Sequence, residues 1–355
     1  MAGSVRDERL LWQVGEKAII SDVIRPFLNP SQDLNSVGDD CAVIELEGDF
    51  VVCASTDRVP ADLISFKLGI IDFEGLGYYL AVLNLSDVAA MGGKAVGLLL
   101  NLAFPDSTRV CDLKDLLRGA KAACELYDTA VLGGDLSSGA ELSLSATSIG
   151  LARKDRVLRR FGCSSGDLIY CTATLGLTST AFAYFLRAKP RGLTLDLESE
   201  ELFKNQFRCP RARFDVSRLM AAESLRMTAM DNTDGAGQTL KELAELNNVE
   251  FVIHPSSLPI HATTHKVAEF LDEDPIDLAL GAGADFQLLG TIENSPRTDA
   301  ATARCGVVII GEVRAGSGVS QLTRSGETRK IHISGWDYFS GLEHDLTKDA
   351  LKRRD

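Results

Sequence analysis

The stretch Phe73–Met91 carries apolar residues at helical spacing and no proline, which predicts a buried helix. Inside it stand Asn84 and, one turn later on the same face, Asp87. An aspartate in the middle of an apolar helix must find a partner or bear a desolvation cost. The fold therefore has to bring other charged or polar groups against this helix.

The flanking patterns supply strands for it to pack on. Val51–Thr56 reads as a short apolar strand ending at Asp57, and Leu98, Leu100 and Leu102 alternate toward Pro105. Asp112–Tyr127 returns to helical spacing, Ala130–Leu132 runs into Gly133-Gly134-Asp135, and Leu142, Leu144 and Ala146 alternate again. At Arg153–Ser165 charge and Gly/Ser replace the apolar periodicity, which sets a boundary between units 1–153 and 154–355.

The second unit repeats the style. Strands are expected at Leu168–Thr172, into Asp231, and at Val249–His254, Phe286–Ile292 and Gly306–Val313. Helices are expected near Leu175–Leu186, Phe214–Leu225 and Gln238–Leu246, with Leu195–Glu201 a helix start or solvated face. The class is α/β (α+β) in two domains.

Composition narrows the function. The 355 residues carry 37 Lys+Arg against 50 Asp+Glu, a net charge of −13 without a basic block. Nucleic acid and anionic membrane surfaces are thus excluded as expected partners. Met1–Ile20 is punctuated by charge, and Val96–Phe104 is far shorter than the roughly 20 residues of a membrane helix. Eight scattered cysteines with no CxxC pair read as reduced thiols, placing the chain in the cytoplasm. There is no P-loop and no GxGxxG after a strand. His261 and His265 lack the glutamate and third ligand of a zinc site.

Five sites share a grammar of aspartate beside Gly, Ser or Thr: Gly38-Asp39-Asp40, Ser55-Thr56-Asp57, Asn84-Leu85-Ser86-Asp87, Gly133-Gly134-Asp135 and Asp231-Asn232-Thr233-Asp234-Gly235. Singly, most read as turns or caps. Asp87 and the Asp231/Asp234 pair resist that reading, because carboxylates held close raise one another's pKa unless a cation neutralises them. Lys and Arg are scarce beside these sites in the sequence, so a metal is expected, and an all-oxygen set favours Mg²⁺ or Mn²⁺. Mg²⁺ usually shares its carboxylates with phosphates, which points to a polyphosphate such as ATP.

In order, Gly38-Asp39-Asp40-Cys41-Ala42-Val43, Thr56-Asp57, Asn84–Gly92, Gly133-Gly134-Asp135, Asp231–Gly235, Arg160…Gly162…Gly166-Asp167, Ile310–Val313 and Gly335–Phe339 resemble the thiamine-monophosphate kinase family of the aminoimidazole ribonucleotide synthetase superfamily. The resemblance implies a PurM-like architecture, with an N-terminal sheet that forms a barrel across a homodimer interface and a C-terminal α/β sandwich. It implies ATP and several Mg²⁺ ions between the two domains. Metal ligands would be Asp39, Asp57, Asp87, Asp135, Asp231 and Asp234, of which Asp231 and Asp234 would serve catalysis. Thr56, Gly133, Gly134, Arg160 and Thr233 would meet the nucleotide. Ser65, Asp285 and Trp336 would face a small-molecule phosphoryl acceptor, with Trp336 stacking on its rings.

Departures gather in the acceptor half. Ser65 stands where the family usually has histidine, and Gly283-Ala284-Asp285-Phe286-Gln287-Leu288 replaces a run with two further carboxylates and a phenol. The expected activity is Mg²⁺-dependent phosphotransfer from ATP to thiamine phosphate or a different acceptor. The alternatives are an amide-activating cyclo-ligase of the same superfamily and a catalytically silent nucleotide-binding homologue.

Overall fold

The computed structural model describes residues 9–24, 26, 38–331 and 333. Trp336, expected to contact the acceptor, lies outside them. The architecture is mixed α/β, built on two sheets. Strands β1 (Ala42–Glu45), β2 (Phe50–Arg58), β3 (Lys94–Phe104), β4 (Val131–Ser138) and β5 (Ser143–Arg153) lie in the order β1-β2-β5-β3-β4. All neighbours are antiparallel except β3 and β4.

The second sheet contains β6 (Leu168–Cys171), β7 (Met230–Asp231), β8 (Glu250–Ile253), β9 (Leu288–Ile292), β10 (Val308–Arg314), β11 (Gly318–Leu322) and β12 (Thr328–Lys330). Their order is β12-β11-β8-β10-β6-β9-β7, and only β11 and β8 run parallel. Strand β4 runs on from Leu132 through Gly133, Gly134 and Asp135 to Ser138. Gly134 is what lets it lie against β3, since a Cβ there would come 1.9 Å from the Leu100 carbonyl oxygen.

Helix α1 (Phe73–Ala90) is the axis of the molecule. Asp72 caps its start by accepting the Gly75 N–H at 3.0 Å, and Gly92, at φ +68°, ends the path beyond it. The helix is apolar on every side and buried on every side. One side lies on the first sheet, with Val88 filling the space over Gly150. Another crosses α2 (Val110–Leu126) so closely that a Cβ at Gly77 would meet the Leu116 carbonyl at 1.9 Å. Its C-terminal half reaches the second sheet, packing on β7 and on the helix Phe214–Ala222.

Along the rest of the chain follow helices α3 (Leu177–Ala183), α4 (Leu197–Arg208), α5 (Phe214–Ala222), α6 (Ala236–Asn247) and α7 (Ala262–Leu271), among others. The acidic Leu195–Glu201 segment is the start of α4, with Asp196 as its cap accepting from Ser199 N–H at 2.8 Å. His261 caps α7. All eight cysteines are free thiols.

Candidate active site

Strand β2 and helix α1 bring the first carboxylates together. Along β2 side chains alternate, so Val51, Cys53, Ser55 and Asp57 face α1 while Val52, Ala54 and Thr56 face away. Asn84, wholly buried, aligns the two elements. Its Oδ1 accepts the Asp57 N–H at 2.9 Å, and its Nδ2 donates to the Leu80 carbonyl at 2.9 Å. One turn on, Asp87 is buried beside Asp57.

From the second sheet β7 contributes Asp231, and the turn before β1 contributes Asp40. A carboxylate oxygen from each of Asp40, Asp87 and Asp231 lies within 4.8 Å of the other two, and all three residues are buried. The Oδ2 atom of each has no hydrogen-bond partner. Buried polar atoms are nearly always paired, so three buried carboxylates drawn together, each with one orphaned oxygen, fit a hard cation. The electrostatics agree. Burial, then Asp231, Asp57 and Asp40, pushes Asp87 well above the usual carboxylate range. Burial and then Asp40 do the same to Asp231.

Asp57 is raised by burial, and Asp234 is pushed up to about 7 by burial and by Glu242, Glu16 and Asp57. Thr233 is half-buried beside it.

The expectation that cations are scarce here is corrected by two arginines distant in sequence. Arg160 Nη2 donates to Asp40 Oδ1 at 2.7 Å, and Arg159 Nη1 to Asp39 Oδ2 at 3.1 Å. Asp39 Oδ1 also accepts the Arg160 N–H at 3.0 Å. Asp39, expected as a metal ligand, thus has both oxygens on the arginine loop, and it is Asp40 that joins Asp87 and Asp231. Burial, with Asp40 adding, still raises Asp39 to about 6. Asn247 at the end of α6 braces this loop, donating to Arg160 O at 2.9 Å and accepting the Gly162 N–H at 2.8 Å.

Other expected residues fall elsewhere. Register pairs Thr56 with Thr147, Leu99 with Thr147 and Gly133, and Asn101 with Ser145 and Asp135. Thr56, Gly133 and Asp135 therefore share the outer face, away from Asp57 and Asp87, while Gly134 is on the α1 side. Asp135 is exposed. The carboxylate of Asp285 is buried and bound to the backbone N–H groups of Gly176 (2.6 Å) and Thr178 (2.9 Å), so its role is to hold the start of α3 rather than to face an acceptor. Ser65 is likewise fully buried.

Two further residues have no motif of their own: nothing local ties Arg159 to Asp39, 120 residues away, and Glu242 stands about two helical turns past Asp234 in a stretch that reads only as helix. The Arg159-Arg160 doublet before Gly162 was the available signal.

A buried carboxylate cluster at the meeting of two sheets defines the class. The AIR synthase related protein N-terminal domain matches residues 38–152. A thiamine-monophosphate kinase of Pyrococcus abyssi (strain GE5 / Orsay) is 30% identical over 329 residues, covering 92% of this chain and 96% of the relative. One from Bacillus subtilis (strain 168) is 27% identical over 310 residues, 85% and 93% of the two chains. The solved structure of AaThiL complexed with AMPPCP and TMP superposes with a TM-score of 0.78 at 25% identity, covering 93% of this chain and 99% of that one. The chain belongs to the thiamine-monophosphate kinase family.

Proposed function

We propose that this chain transfers the γ-phosphoryl group of ATP to the phosphate of thiamine monophosphate, yielding ADP and thiamine diphosphate. The observation that carries the reading is the trio Asp40, Asp87 and Asp231, each with a buried, unpartnered carboxylate oxygen. The relative solved with AMPPCP and TMP supports the same pair of substrates.

An acceptor phosphate is already ionised near neutral pH, so its oxygen needs no protein base to attack the γ-phosphorus. The bond to the β-phosphate oxygen breaks and ADP leaves with the electron pair. Such a transfer depends on positioning and on neutralising charge, which suits a site of carboxylates without a nucleophile. Asp40, Asp87 and Asp231 would hold Mg²⁺, with Asp57 and Asp234 beside them. Magnesium supplies neutralisation of the triphosphate oxygens. Arg160 orients Asp40, and Asn84 fixes Asp57 against α1.

The reading includes assembly as a homodimer through the first sheet. Ile44, Phe50, Leu99, Leu132 and Leu151 are exposed on that sheet's outer side, which supports a second copy closing a barrel there. No described helix is long and apolar enough to cross a membrane.

Mass spectrometry of products formed from ATP, Mg²⁺ and a metabolite panel containing thiamine monophosphate tests the activity. Thiamine diphosphate with ADP is the expected result. Free phosphate with a cyclised or amide product would replace this reading with an amide-activating one. ATP-induced thermal stabilisation without turnover would make the chain a silent homologue.

A further inference from the structure

Phe286 has a backbone φ of +55°. Among the described residues, the other non-glycine positions with positive φ are Asp128, Asn248 and Asp272, types that tolerate this region through short polar side chains. A bulky aromatic does not, and such strain persists only where the surroundings over-determine it.

Here they do. The Phe286 N–H donates to the Asn232 carbonyl at 3.0 Å, and the Asn232 N–H donates to the Gln287 carbonyl at 2.8 Å. The Phe286 ring is buried and meets Tyr79 of α1 edge-on, with centroids 5.6 Å apart and planes at 78°. On one side Asp285 holds the start of α3. On the other, Gln287 Oε1 accepts from Arg213 Nη1 at 2.7 Å and from the Thr172 hydroxyl at 2.9 Å. Three consecutive residues are thus fastened to three different parts of the fold. What they grip between them is Asn232, the residue after Asp231. Tyr79 lies about two turns before Asp87 on the same helix.

We propose that Phe286 is a positioning residue for the acidic cluster, its left-handed backbone and Tyr79-packed ring fixing Asp231 of the second sheet relative to Asp87 of α1. The inference rests on the reading of that cluster as a divalent-cation site. It assigns the altered Gly283–Leu288 run a task of alignment between the two units, distinct from acceptor recognition. Relaxing Phe286 to an ordinary backbone would break its pairing with Asn232 and release Asp231.

Mn²⁺ alone is the probe, its binding to the full chain followed by loss of the free-ion electron spin resonance signal. Phe286→Gly keeps the left-handed backbone accessible but removes the ring. Its Mn²⁺ dissociation constant is expected to rise about tenfold or more, while Phe286→Tyr stays within about twofold of the parent. Phe251→Leu, on β8 and separated from β7 by β10, β6 and β9, controls for general loosening of the core. It should lower the melting temperature and leave Mn²⁺ affinity unchanged. Where Phe286→Gly does not fold, Tyr79→Leu replaces it with the same expectation. Parent-like Mn²⁺ affinity in the folded variant overturns the proposal, and so does an equal loss in Phe251→Leu. A parent protein that binds no Mn²⁺ at all overturns the cation-site reading itself, and this inference with it.

Discussion

Asn84 Oδ1 accepts the backbone N–H of Asp57 at 2.9 Å, tying helix α1 to strand β2 one turn away from Asp87. A buried amide in an apolar helix is costly, and this one is fully satisfied at Oδ1 by the strand and at Nδ2 by the Leu80 carbonyl.

Asn84→Ala leaves the Asp57 N–H buried and unpaired. The expected cost is about 1–3 kcal/mol of stability, seen as a lower midpoint in urea unfolding. Mg²⁺-dependent ATP turnover should fall by about tenfold or more, because Asp57 loses its alignment with Asp87. A variant with the parent's stability and turnover would refute the role given to this contact.

Neutralising one member of the trio should separate stability from function. Asp87→Asn or Asp231→Asn removes a buried like charge, so the metal-free protein is expected to melt higher than the parent. Phosphotransfer should fall by about 100-fold or more as a cation ligand is lost. Melting curves in EDTA, set beside product assays in Mg²⁺, check both signs. A stabilised variant that retains full turnover removes the carboxylate from the site.

The pH dependence follows from Asp39 and Asp234, raised from 3.8 to about 6 and about 7. Between roughly pH 4 and these values the folded chain binds more protons at these groups than the unfolded one. Their contribution is therefore fully present below about pH 4, declines as pH rises, and is gone above about 7. Metal-free protein should lose stability from about pH 4 to 7, and the stabilisation by Mg²⁺ should grow over the same range. Scanning calorimetry with and without EDTA measures both. A metal-free melting temperature that rises across this window would contradict the assignment.

Leu99 is 41% exposed on the outer face of the first sheet, between Thr147 and Gly133. Leu99→Asp should leave the fold intact and convert the proposed dimer to monomer in sedimentation velocity, because a charge in that apolar face opposes a second copy. Dimers that persist unchanged would move the interface elsewhere.

The sequence made the helix of Asn84 and Asp87 legible because its period and its out-of-place carboxylate are both local signals. The resemblance placed Asp231 in one ligand set with Asp87, whereas the residues alone showed only a second like-charged centre, since pairing across sheets leaves no local trace. Asp39 and Asp40 show the limit. Adjacent carboxylates look equivalent in a string, and only the arginine loop far along the chain divides them, Asp39 to Arg159 and Asp40 to the trio. Asp285 misled for a related reason. A carboxylate within a motif looks available, yet the free N–H groups at the start of α3 take both of its oxygens.

Strand β2 turns Thr56 to one side of the sheet and Asp57 to the other, with Asn84 holding that phase. Because side chains alternate with a period of two, deleting or inserting one residue within Phe50–Asp57 would exchange the two faces. The carboxylate would then point outward and a hydroxyl or guanidinium inward. Substitutions along this strand can be graded and partly tolerated, whereas a change in its length cannot. The short turn between β1 and β2, which carries no such phase, is where variation in length belongs.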